Sequence, residues 1–147
     1  MPHVRRQIRE AVVAAVTGLA TTGSRVFASR VYPLEAADLP CLTVMTLSET
    51  SNVIGMSPSV MLERRVAFEV AAHAQALTGL DDALDQICVE VEVALAAPAL
   101  AGLTNDGATL TATEFSVDGS SEQPVGRAAM RYDITYYTQE NAPDVAH

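Results

Sequence analysis

The residues able to do chemistry are few and scattered. Asp81, Asp82 and Asp85 fall together in "DDALD", and histidines stand at His3, His73 and His147. Carboxylates with a histidine are the raw material of a metal centre or an acid–base pair. Such a centre needs convergent ligands, and no Cys, His or carboxylate pair brackets His73 at ligand spacing. A small metal-dependent enzyme built from Asp81, Asp85 and His73 across the fold is the enzymatic alternative. The plainer role of these acids is to face the positive end of a helix.

Other candidates fall for stated reasons. "GLATTGSR" spaces Gly18 and Gly23 like a phosphate loop and follows with Ser24. Its lysine is missing, and it runs from helix to strand instead of strand to helix. Its glycine reads as a helix end. Cys41 and Cys88 lie far apart in apolar runs and read as buried thiols. Ser116, Ser120 and Ser121 have no histidine nearby in sequence, and no G-x-S-x-G occurs. Tyr132, Tyr136 and Tyr137 have only Arg127 and Arg131 near them, too few bases for a nucleic-acid stacking platform. No catalytic residue, cofactor or metal set is assigned, and the expectation is a protein that is not an enzyme.

Composition narrows the field further. The 147-residue chain has 18 acids and nine bases, a formal charge of −9, and all the bases are arginine. Without lysine there is no Schiff base, phosphate-loop lysine or Ser–Lys dyad. The acidic balance argues against specific nucleic-acid binding. One domain is expected, able to bury roughly 68–70% of its unfolded surface. Arg5, Arg6 and Arg9 before "AVVAAVTGLA" imitate a signal peptide, but Glu10 interrupts it and Arg25 sits just before the small-residue "VFA". No run approaches the ~20 apolar residues of a membrane span, so a soluble protein of the cytoplasm in which it is made is expected.

The elements that must position these residues follow from periodicity. Val4, Ile8, Ala11, Val12, Ala15, Val16 and Leu19 recur at helical spacing and predict a helix over 3–20. Strands are predicted over 25–32, ended by Pro33, and over 41–47, where apolar residues on both faces imply an interior position. Residues 48–59, "SETSNVIGMSPS", read as a long loop. From 60 to 74 alternation returns: Val66, Phe68, Val70 and Ala72 share one face, Glu63, Arg65, Glu69 and His73 the other. The first residues of this long strand are expected to project beyond the core. A second helix runs from a Thr78 cap to Pro98, with Leu80, Leu84, Ile87, Val91 and Leu95 inward. Strands over 108–117 and 125–138 complete the order α-β-β-β-α-β-β. Residues 1–138 form the domain, and 139–147 are expected to be a flexible tail. The fold class is α+β: two layers, a mixed, mostly antiparallel sheet of about five strands, both helices on one face. The uncovered face, with Tyr137 and Val125 among polar residues, reads as a partner surface.

Several stretches carry a resemblance. "HVRRQIREAVVAAV", "VYPLEAADLPCLTV", "VAFEVAAHAQ", "LDDALDQICVEVEVAL" with its "PAL", and "MRYDITYYT" together resemble the tail terminators of long non-contractile-tailed bacteriophages, the lambda-type minor tail protein family. The stretch from 34 to 44 is the most specific, and the order agrees over nearly the whole chain. The lysine-free composition and the 48–59 loop depart from the family. The resemblance implies a homo-hexameric ring that caps the tail tube, stops its polymerisation and offers a surface for head attachment. Its implied partners are itself, the tail tube protein and a head–tail connector, in the virion tail. Glu63, Arg64, Arg65, Asn52, Ile54 and Met56 are the candidate seam or tube contacts. Alternatives are a connector or neck-completion protein of the same particle and a dimeric ligand-binding module.

Overall fold

The computed structural model describes residues 1–28, 35–96, 100, 102–104, 106–119 and 124–147. Helix α1 spans Val4–Val16, strand β1 Val26–Ala28, β2 Cys41–Gly55, β3 Met61–Gln75, helix α2 Leu80–Ala96, β4 Ala108–Asp118 and β5 Val125–Gln139. A 3-10 turn at Ala36–Asp38 precedes β2. The α+β class and its element order are therefore as the periodicity implies. Tyr32, Pro33, Pro98, Ser120 and Ser121 lie outside the described residues, and with them the expected strand and helix ends they mark.

The five strands form one sheet in the order β1-β2-β3-β5-β4. β1 joins β2 in parallel; the other pairs are antiparallel. β2 thus sits inside the sheet, as its two apolar faces require. α1 lies over β1 and β2, and α2 over β3, β5 and β4. Both helices close the same core, whose floor is Leu42, Val44, Val66, Phe68, Val70, Met130, Ile134 and Tyr136.

Each helix enters the core through a stripe at 3.6-residue period. Val4, Ile8, Val12 and Val16 are buried in α1, and Leu84, Ile87, Cys88, Val91 and Leu95 in α2. Complete burial of such side chains is worth about 1.5–3 kcal/mol each. His3 caps α1, its Nδ1 accepting from the Arg5 amide at 3.1 Å. The helix stops four residues before the predicted Ala20. Gly18 follows the Thr17 cap at φ +87, where only glycine escapes Cβ strain. α2 starts at Leu80 rather than at a Thr78 cap: the Gly79 carbonyl accepts the Ala83 amide at 3.0 Å.

Three expectations change. Residues 48–59 are mostly strand, not loop: β2 continues to Gly55 and turns into β3 at Met61. Its polar side chains hid a ladder that tertiary pairing supplies. A bulge between Thr46 and Ser48 also shifts the inward positions, which broke the alternation. The start of β3 does not project alone, since β5 pairs with it as far as Met61↔Gln139. Residues 139–147 fold back instead of hanging loose. The Pro143 carbonyl accepts the Val4 amide at 2.9 Å, the Asp144 carbonyl accepts Gln7 Nε2 at 3.0 Å, and the His147 amide donates to Tyr137 at 2.9 Å.

Candidate functional site

The candidate contact residues lie at the hairpin end of β2 and β3. Glu63, Arg64 and Arg65 are consecutive on a strand, so they cannot share a face. Glu63 and Arg65 turn to the face without helices; Arg64 turns inward, in register with Tyr136. Arg65 is exposed, and the Tyr137 hydroxyl reaches Glu63 at 3.4 Å. Arg64 is largely covered within the chain, its side chain 12% exposed.

Arg64 belongs to an internal polar cluster built around Glu49, whose side chain is 10% exposed. Arg5 Nη1 donates to Glu49 Oε2 at 2.6 Å, and Arg64 Nη1 to the same oxygen at 3.4 Å. The Tyr136 hydroxyl donates to Glu49 Oε1. Arg64 Nε donates to the buried Thr138 hydroxyl at 2.9 Å. Burial, then the bond and charge of Glu49, hold the Tyr136 phenol far above its ordinary value. The cluster joins α1, β2, β3 and β5, each member bonded to another. Such a network fastens the elements that carry it. Nothing local in the sequence marks it; Arg5, Glu49, Arg64 and Tyr136 are far apart in the chain, and only the fold unites them.

The hairpin end itself is exposed and apolar. Val53, Ile54 and Met56 are 57%, 54% and 76% exposed, far above what unpartnered apolar side chains of a core would show. Asn52 is exposed beside them. Exposed apolar side chains grouped at one end mark a contact surface.

The uncovered sheet face carries ion pairs and polar side chains, with Met45 exposed among them. Ala67, Ala71 and Ala129 are buried on it beneath longer side chains. Arg127 pairs with Glu69 at 2.7 Å, and Arg131 lies 3.8 Å from Asp133. His73 Nε2 sits 3.0 Å from the Thr43 hydroxyl. Burial, reinforced by Arg127 and opposed by Glu69, pulls the His73 pKa down to about 4.

The enzymatic candidates are not brought together. His73 lies on the uncovered face of β3, while Asp81 and Asp85 are exposed on α2, in the layer across the sheet. Among the described residues no group of three or more His, Cys, Asp or Glu could hold a metal ion. The Gly18–Gly23 segment closes on itself. The Gly18 amide donates to Gly23 and the Gly23 amide to Leu19, both at 2.8 Å, so these donors do not face a phosphate. Cys41 and Cys88 are buried, and burial with Glu92 and Asp85 nearby pushes the Cys88 thiol up to about 11. A cleft of about 350 Å³ lies between the 76–82 turn and Val117, and one of about 190 Å³ between Pro40 and Ile87. No helix among the described residues is long and apolar enough to cross a membrane.

No family model and no curated protein matches this chain. Among solved structures, a chain of the virion of a native gene transfer agent particle is similar, with 17% sequence identity and a TM-score of 0.47, over 90% of this chain and 92% of that one. A likeness at that level carries no argument about function. What the fold and surfaces define is a two-layer α+β domain with one internal charge cluster around Glu49 and a group of exposed apolar side chains at the β2–β3 hairpin end.

Proposed function

We propose that this protein is a virion structural component that acts by assembly, and that it is the tail terminator of a phage or phage-like particle. Copies form a hexameric ring that caps the tail tube, halts its growth and presents a surface to the head–tail connector. The reading begins from the resemblance centred on residues 34 to 44. In that stretch Glu35 and Asp38 form a reciprocal capping box, and a cis Leu39–Pro40 bond leads into β2. The observation that carries it is the hairpin end, where Val53, Ile54 and Met56 stand in solvent at the end of the paired strands β2, β3 and β5. An apolar end suits docking on a tube rim.

The test is tail length. Particles assembled without this protein should carry over-long tubes with open ends. Tails of normal length that fail to join heads would replace this reading with the connector alternative. Turnover of a substrate by the pure protein would replace both.

A further inference from the structure

The two lateral sides of the sheet differ in charge and in what they leave unpaired. β4 forms one side, and from Thr109 to Val117 its outer edge meets no described strand. On the other side β1 covers only Leu42–Val44, so β2 from Met45 to Gly55 likewise has no described outer partner. Long unpaired edges are templates for another strand.

The helices beside these edges carry opposite charge. α1 bears Arg5, Arg6 and Arg9 against one acid, Glu10, which pairs with Arg6 at 2.8 Å; the bonds from Arg5 to Glu49 and from Arg9 to the Thr46 hydroxyl turn that flank toward β2. No base occurs between residues 66 and 126. Within that span Asp85, Glu92 and Glu114 are exposed on α2 and β4. Asp85 and Glu92 lie beside Cys88, on the flank of α2 turned to Tyr132 of β5, the strand next to β4. Val89, Phe115 and Val117, 54–59% exposed, add apolar surface there.

We infer that copies of this chain join head to tail, the α2–β4 side of one against the α1–β2 side of the next, with β4 adding to the length of β2 that no described strand pairs. Charge selects the occupant. Two β4 edges in a twofold pair would set Glu114 and the acids of α2 against their own copies. β4 against β2 sets Arg6 and Arg9 opposite Asp85 and Glu92. The contact is heterologous, so it closes into a ring or runs on as a filament. It depends on the proposed ring only for closure; the association itself is a property of the pure chain.

Charge reversal in two halves tests it. One variant carries Arg6→Glu and Arg9→Glu; the other carries Asp85→Arg and Glu92→Arg. Circular dichroism should show both folded, since these side chains lie outside the core. By light scattering and sedimentation, each variant alone should associate at least about tenfold more weakly than the unaltered chain, because like charges meet across every seam. An equimolar mixture should recover association, because alternating copies restore unlike charges at each seam. If the reversals leave association unchanged, or the mixture does not recover it, the seam is wrong. An unaltered chain that stays monomeric at about 1 mM, where even a millimolar contact would show, also overturns it. Any of these results leaves the tail-length test of the ring standing separately.

Discussion

Glu49 shows how a surface-type residue becomes internal. The residue stands in a polar run, yet the sheet places its carboxylate beneath Arg5, Arg64 and Tyr136. Removing one partner of a buried charged set leaves the others without compensation and costs about 3–5 kcal/mol. Glu49→Ala is expected to lose stability of that order in urea unfolding, with α1 loosened first in hydrogen exchange. His73 makes a pH prediction. The unfolded chain takes up a proton near 6.5, while the folded chain does so only near 4. Stability is therefore fully present above about pH 6.5 and declines as the pH falls toward 4. The loss is of order 1–2 kcal/mol after allowance for solvent screening. In His73→Gln, which keeps a partner for Thr43, thermal unfolding from pH 7 to 4 should lack this component. A variant with the same slope as the parent would assign it elsewhere.

At the scale of elements, α2 approaches β5 through the absence of a side chain. A Cβ on Gly126 would lie 2.9 Å from Leu80 and from Leu84. Gly126→Ala should overpack this contact and cost about 1–3 kcal/mol, read from the urea midpoint. The helices and the inward faces of β3 and β5 were legible because their apolar side chains keep strict periods. The 48–55 ladder was not, because neither face of that segment is apolar throughout and pairing with β3 alone makes it a strand. The inward turn of Arg64 is hidden for a related reason. Charge in a sequence suggests solvent, whereas alternation puts residue 64 on the face opposite 63 and 65.

For the whole molecule, the hairpin end should matter to assembly and not to folding. Ile54→Asp with Met56→Asp should leave the unfolding midpoint within about 0.5 kcal/mol of the parent, as exposed sites do. The same variant should abolish capping, seen as over-long tubes by electron microscopy. Normal tails from it would remove the hairpin end as the docking surface. The acids between residues 66 and 126 and the arginines of the first helix give the lateral sides opposite charge, as the proposed repeating contact requires.

By itself the amino-acid sequence determined the class of fold, the two buried helical stripes, the inward faces of the sheet and the lack of any local catalytic motif. Those are consequences of short-range spacing, and spacing is written in the chain. The tertiary structure decided the rest. It showed that β1 runs parallel to β2, that Glu49, Arg64, Arg5 and Tyr136 form one cluster, that His73 and the acids of α2 lie in different layers, and which strand edges lack a partner among the described residues. These depend on register and on strand order. Residues far apart in sequence acquire neighbours only when the whole sheet closes.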